Sequence, residues 1–536
     1  MLAPLLPTIV SSLASRTAYV ALTVPEAAPL EARLRRVSHP LSPEYGRWLT
    51  AAEVGALAHP PAAQQDRVVR WLRRFNVTRL QPLGDAIKLW APPETLQAMW
   101  GGTWTAAGCL AGHVIPAALQ GLVAFVELCR KPFASAGPSR THGHAAVDDR
   151  FLGREAVLRL YGMPDAPAGP TVSAAAIEYQ NNGGFFNTDL TAQQVWNEQA
   201  LQNVSHVVGA NLGADAESEL DVQMLSQTAD SATLWFWNSP QWLYALAVDL
   251  LATPRPPQVV SMSWGWAQDR QCDIIECGAN LTSQQYVNRV NVEYLKLALR
   301  GITVVVASGD AGAPGRTNED CSDTNRPVNP VFPGASPYVL SVGATVVQAS
   351  NDSQHFRTPL CRQRGCPTGR HEMALSFETC GWTGGGGFDR YSPTTPWWQA
   401  DAVTGYLATA SSLPTRFHRQ GRAYPDVSAV GHSCPTVLSG QLSAVDGTSC
   451  SAPVVAGLVT WLNSRRDTPL GFVNPLLYHL GATCPACFHD VPQGHNWCTE
   501  ARCCSPYFGF AAALGWDPVT GLGTLNVSAI IREIPL

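Results

Sequence analysis

Val445-Asp-Gly-Thr-Ser-Cys-Ser-Ala-Pro453 runs without a break into the apolar stretch Val454 to Leu462, and this join decides how the chain is read. Gly447 permits a tight turn, Thr448, Ser449 and Ser451 favour a helix start, and the apolar stretch predicts a buried helix. A serine at such a start faces unpaired backbone N–H groups and the positive end of the helix dipole, which stabilise developing negative charge. Pro453 is read into the first helical turn, where N–H groups lack helical partners anyway. Ser449 is therefore a candidate nucleophile as well as a candidate cap, and a nucleophilic serine needs a base.

Outward from this join, Ser205 to Gly209, Ser231 to Trp237, Gln258 to Ser263, Ile302 to Ala307 and Tyr338 to Val342 are short, apolar and bounded by turns. Helical stretches fall between them, notably Glu217 to Ser226 and Ser283 to Arg300. Apolar strands alternating with helices predict an α/β fold, a parallel sheet covered by helices on both faces. Chemistry in such sheets gathers at the carboxyl ends of the strands. Val304-Val-Val-Ala-Ser-Gly-Asp-Ala-Gly312 puts Asp310 at one of those ends. Asp310 fits an Asx turn, and in its protonated form it would donate a hydrogen bond to an oxyanion.

For the base, His142-Gly-His144 lies in a stretch that reads as linker, ahead of any strand of the sheet. Glu217-Ser-Glu-Leu-Asp221 is the better candidate, because a spacing of four stacks Glu217 and Asp221 on one helix face. Two adjacent carboxyls repel as anions and share a proton, a base suited to acid, where histidine is already charged. Glu219 points elsewhere on the helix and is expected at the surface.

Residues 17–130 read as a small α+β unit, with a strand from Tyr19 to Val24 and helices from Glu26 to Val37 and Gln64 to Phe75. Residues 131–150, rich in Pro, Gly, Ser and Arg, form a linker open to a maturation cut. Residues 1–16 are apolar without a basic start, a poor or incomplete signal segment. The sheet-bearing domain is expected over 151–536.

Of 536 residues only 14% are charged and 46% are hydrophobic, which excludes bulk disorder. A net charge of -5 gives no footprint for nucleic acid, and no apolar run reaches the ~18 residues of a membrane span. The 15 Cys, without paired zinc-type motifs, predict disulfides, and Cys484 with Cys487 predicts a stapled loop. Asn76, Asn203, Asn280, Asn351 and Asn526 begin glycosylation triplets. Together these point to the secretory pathway, with a lysosomal, vacuolar or secreted destination.

Seven segments in order resemble the sedolisin, or serine-carboxyl peptidase, family: Ser42-Pro-Glu-Tyr-Gly-Arg-Trp-Leu-Thr50, Glu217 with Asp221, Val260-Ser-Met-Ser-Trp-Gly265, Ser308-Gly-Asp310, Gly384-Gly-Gly-Gly-Phe388, Gly421-Arg-Ala-Tyr-Pro-Asp-Val427 and Gly447-Thr-Ser449. The resemblance covers nearly the whole chain. It implies a subtilisin-like α/β domain preceded by an inhibitory activation prodomain, and an acid-active peptidase hydrolysing peptides or proteins through an acyl-enzyme. It further implies Ser449 as nucleophile, Glu217 as general base, Asp221 as its partner and Asp310 as oxyanion-hole acid. A tripeptidyl exopeptidase is implied, with an acid endopeptidase as the alternative within the family and a non-catalytic binding module as the alternative outside it. Gly384, Gly385 and Gly386 are expected to let substrate backbone approach, with Trp264 lining the cleft. One Ca²⁺ is implied at Asp490, Val491, Ala513, Gly515 and Asp517. Asp389 stands where many relatives have Ser, and Cys450 follows the nucleophile as a small packed side chain. Cys321 is expected to pair into the Cys484 to Cys504 cluster.

Overall fold

The computed structural model describes residues 15–132, 140–142, 152–180, 183–279, 281–317, 325, 327–348, 371–498 and 504–534. They divide into two compact units: Met1–Ala27, Gly55–Pro132 and Cys272–Thr282 in the smaller, and Ala28–Val54, Phe133–Gln271 and Ser283–Leu536 in the larger.

The smaller unit is an antiparallel sheet in the order Arg79–Pro82, Ala86–Ala91, Arg16–Leu22, Val123–Glu127. The helices Ala62–Leu72 and Pro93–Trp100 bury Val68, Leu72, Leu96 and Trp100 in one cluster with Val20 and Leu89 of the sheet. Cys109 pairs with Cys129 and Cys272 with Cys277.

In the larger unit the sheet runs Phe488–His489, Thr524–Leu525, Val427–Val430, Leu340–Gln348, Thr303–Ala307, Val259–Met262, Ser173–Glu178, Thr233–Asn238, His206–Val208. Every pairing from Thr524–Leu525 to His206–Val208 is parallel, as the apolar strands require. His371–Ala374 joins Leu340–Gln348 antiparallel. A hairpin, Cys434–Leu438 with Gln441–Asp446, stands off this sheet, and Arg140–His142 pairs antiparallel with its second strand.

The segment Ala28–Val54, within the 17–130 stretch, makes its contacts in the larger unit. Its helix Ala28–Ser38 buries Leu30, Leu34 and Val37 and lies against the Ser283–Leu299 helix. Beyond it the Trp48 indole N–H donates to the Pro469 carbonyl at 2.8 Å, and the Leu49 N–H to that of Leu299 at 2.8 Å.

Two helices are buried almost all round, Ala216–Thr228 and Thr448–Asn463, and they pack on each other. They meet at Gly457, where a Cβ would come within 1.9 Å of Thr228 Oγ1. Only a glycine lets the second helix approach that closely. This crossing brings the helix bearing Glu217 and Asp221 against the helix that begins at Thr448.

Candidate active site

Three neighbouring strands deliver polar residues at their carboxyl ends. Ser173–Glu178 ends in the fully buried Glu178, Val259–Met262 hands on to Ser263 and Trp264, and Thr303–Ala307 leads to Ser308, Gly309 and Asp310. The Trp264 indole N–H donates to Glu178 Oε2 at 2.8 Å, so Trp264 is tied to a carboxyl beneath it.

The Ala216–Thr228 helix is capped by Asp215, whose Oδ1 accepts the N–H groups of Glu217 and Ser218, each at 3.1 Å. Its Oδ2 accepts Gly184 N–H and Ser218 Oγ, each at 2.7 Å. A cap satisfied this fully fixes where the first turn starts, and so where Glu217 and Asp221 stand. Asp221 is fully buried and accepts the Ser263 hydroxyl at 2.6 Å. Burial lifts its pKa well above the usual carboxylate range, and the neighbouring Glu217 charge lifts it further. Glu178 is lifted in the same way, first by burial and then by the charges of Asp221, Asp215 and Glu217. This cluster holds protons that isolated carboxylates would have lost.

Asp310 reaches the start of the other helix. Its Oδ1 accepts Thr448 N–H at 2.9 Å and Thr448 Oγ1 at 2.7 Å. Gly447 has φ +152°, and a Cβ there would sit 3.4 Å from Asp310 Oδ2. Ser449, 7% exposed, lies in the first turn beside this contact. Pro453 falls past the first turn, contrary to the sequence reading, and it has no N–H to give the Ser449 carbonyl four residues before it. That carbonyl instead lies 3.4 Å from the Ser263 hydroxyl. The arrangement unites a serine at a helix start, a proton-sharing carboxyl cluster and a separate carboxyl beside the same helix end.

A Pro-kumamolisin activation domain model matches residues 10–103, and a subtilase family model matches residues 172–473. Physarolisin of Physarum polycephalum is 39% identical over 96% of this chain and 92% of its own. This chain belongs to the sedolisin family. It is a serine-carboxyl peptidase made with an activation prodomain. Tripeptidyl-peptidase 1 of Mus musculus is 30% identical over 94% of this chain and 88% of its own. The solved structure titled Pseudomonas sedolisin (serine-carboxyl proteinase) complexed with two molecules of pseudo-iodotyrostatin shares the fold, at a TM-score of 0.54 and 22% identity, over 73% of this chain and 99% of that one.

Glu219 is fully buried, not at the surface: it accepts Phe186 N–H and the Gln223 amide, each at 2.8 Å, and burial pushes its pKa up to about 8. Cys450 is bonded to Cys434 and is not a lone packed side chain. Cys484 pairs with Cys487 and Cys498 with Cys504, while Cys321 lies outside the described residues. The glycine run meets the protein's own backbone: a Cβ at Gly385 would lie 2.3 Å from the Ser308 carbonyl, and one at Gly386 2.1 Å from that of Pro518. Gly384 has open contacts only, at 3.8 Å and beyond. Asp389 is buried and accepts Tyr391 and Ser392 N–H, which makes it a turn anchor. His142 is described by its backbone pairing with Ala444. Sequence reasoning passed over Glu178, whose one signal is a carboxylate closing an alanine-rich strand.

The candidate calcium residues do converge. Gly515 N–H donates to Asp490 Oδ2 at 2.8 Å, and Ala513 N–H to Asp517 Oδ2 at 2.9 Å. Asp517 is fully buried, and burial, with Asp490's charge adding, pushes its pKa up to about 7. Thr520 Oγ1 donates to the Val491 carbonyl at 3.3 Å. Gly515 has φ +78°, and Ala513 is not among the residues of positive φ. Two neighbouring carboxyls, with the Val491 carbonyl reached through Thr520, are hard-oxygen donors of the kind Ca²⁺ takes.

Proposed function

We propose that this sedolisin hydrolyses peptides at acid pH through an acyl-enzyme on Ser449. Ser449 Oγ attacks the scissile carbonyl carbon and its proton passes to Glu217, with Asp221 holding the pair's second proton. Asp310 has Oδ1 occupied by two donors from Thr448, which leaves Oδ2 as the atom to carry a proton toward the oxyanion. Glu217 then protonates the leaving amine, the C–N bond breaks, and water attacks the ester with Glu217 again taking the proton. Glu217 returns that proton to Ser449 Oγ as the bond between Oγ and the acyl carbon breaks, which releases the acid and restores Ser449. The observation that carries this reading is the link from Asp221 through Ser263 to Ser449, beside a carboxyl seated on Thr448.

Tripeptide release from free N-termini is proposed from the likeness to tripeptidyl-peptidase 1. Hydrolysis of an N-terminally blocked peptide as fast as its free form would assign endopeptidase action instead. Asp490, Asp517 and the carbonyls of Val491, Ala513 and Gly515 would hold one Ca²⁺, which when bound neutralises the two carboxyls and pins the loop. A lysosomal, vacuolar or secreted location is favoured by the five disulfides among the described residues. Exposed Asn76 and Asn203 are the glycan candidates, whereas Asn526 is committed as a helix cap. No helix among the described residues is long and apolar enough to cross a membrane.

A further inference from the structure

The hairpin Cys434–Leu438 with Gln441–Asp446 touches both helices of the candidate site, at their catalytic ends. On one side it is covalently bound, because Cys434 is joined to Cys450, the residue after Ser449. On the other side Gln223, two residues past Asp221, grips Val437 in both directions. The Gln223 amide N–H donates to the Val437 carbonyl at 2.8 Å, and its oxygen accepts the Val437 N–H at 2.8 Å. Gln223, Cys434 and Cys450 are all fully or almost fully buried. The hairpin is itself held at both ends. Asp189 accepts the turn's Ser439 and Gly440 N–H groups at 2.6 and 2.9 Å, and at the base Asp446 accepts Ser433 N–H at 2.7 Å and pairs with His432 Nδ1 at 2.9 Å.

The two helices pack on each other and approach most closely at Gly457 and Thr228, two turns beyond Ser449 and nearly two beyond Asp221. The hairpin adds a covalent and hydrogen-bonded tie nearer the reacting groups. We propose that the hairpin is a strut that sets the distance from Ser449 to Glu217 and Asp221, with Gln223, Cys434 and Cys450 as positioning residues. The inference rests on Ser449 being the nucleophile and deepens that reading.

The test uses the activated enzyme in four forms: wild type, Cys434→Ala/Cys450→Ala, Gln223→Leu, and all three changes together. The readouts are kcat, KM and the rate at which an organophosphorus fluoride labels Ser449 at acid pH. Misplacement of a reacting group by about 1 Å costs on the order of 100-fold, so each partial form should lose at least about tenfold in kcat and labelling rate, with KM within about twofold. Because one strut is broken in either case, the combined form should lose little more than the worse of the two. Gln223→Glu, which as a buried acid keeps one donor and one acceptor for Val437 while Glu219, protonated at acid pH, donates to it instead of accepting, should recover most of the Gln223→Leu loss and needs no change to the disulfide. Unchanged kcat in both partial forms, or losses that multiply in the combined form, would overturn the strut. Wild-type enzyme that hydrolyses peptide but is not labelled at Ser449 would overturn the nucleophile assignment and the strut with it.

Discussion

The Ser263 hydroxyl lies 2.6 Å from Asp221 Oδ1 and 3.4 Å from the Ser449 carbonyl oxygen, so one small side chain links the proposed base pair to the helix of the nucleophile. Its hydrogen bond favours the charged form of Asp221 and opposes the upward push of burial. Without it the carboxyl pair binds its proton more tightly and gives it up at higher pH. Ser263→Ala should therefore move the acid limb of the kcat/KM profile upward by about one to two pH units, since a hydrogen bond to a charged group is worth ~1.5–3 kcal/mol and one unit is ~1.4 kcal/mol. An acid limb that stays in place would mean that Ser263 does not tune the pair.

Glu219 predicts how stability depends on pH. Its native pKa of about 8 lies above the ordinary value of 4.5, so the folded chain binds this proton more tightly than the unfolded chain. The resulting stability is fully present below about pH 4.5 and is lost as pH rises toward 8. Glu219→Gln, which keeps the shape without the titration, should flatten the fall in melting temperature between acid and neutral pH. An equally steep fall in Glu219→Gln would place the titration elsewhere.

Asp221 and Glu219 differ in what could be read from sequence. Glu217 and Asp221 were legible because a spacing of four has one meaning on a helix, and the helix observed, Ala216–Thr228, agrees with the stretch expected from Glu217 to Ser226. Asp310 was legible because an apolar run ending in Ser-Gly-Asp can be placed at a strand end. Glu219 and Glu178 were not, because each is buried by partners distant in sequence: Phe186 for one, and Trp264 with Asp221 for the other. Local pattern also gives no pairing for Cys450, whose partner lies across a hairpin. The glycine run was read as a place where substrate backbone approaches; in the structure Gly385 abuts the strand end that carries Asp310, and Gly386 abuts the Pro518 carbonyl.

Release of the Ala28–Val54 segment should be driven by acid. The His39 ring stacks on Trp397 at 5.1 Å between centroids, and the Arg35 guanidinium lies 4.9 Å from the same ring. They border a cavity of about 630 Å³ that His479 and Asp401 also line. Burial lowers the His39 pKa, and the charges of Arg35 and His479 lower it further. The docked segment thus resists protonation, so the contact is complete above the ordinary histidine value of 6.5 and weakens as pH falls below it. His39→Phe keeps a ring on Trp397 that takes no proton, and zymogen activation should then require a pH lower by about half a unit or more. Wild-type activation kinetics in His39→Phe across the acid range would contradict this.

Calcium removal should cost stability. A ligand present at 100 times its dissociation constant contributes ~2.7 kcal/mol, so chelation should lower the melting temperature by several degrees. Asp490→Asn should melt at the chelated wild-type temperature and respond to neither chelator nor added Ca²⁺. A wild-type melting curve indifferent to both would show that Asp490 and Asp517 hold no Ca²⁺.

The proposal that Ser449 forms the acyl-enzyme, with carboxyls as its acid and base, is open to direct test. Activated wild type and Ser449→Ala, matched in fold by their melting curves, should be compared at acid pH for peptide hydrolysis and for the site of covalent capture. Wild type should carry the acyl group or probe on Ser449, and Ser449→Ala should lose hydrolysis by at least about a thousandfold. Hydrolysis by Ser449→Ala at the wild-type rate would contradict it.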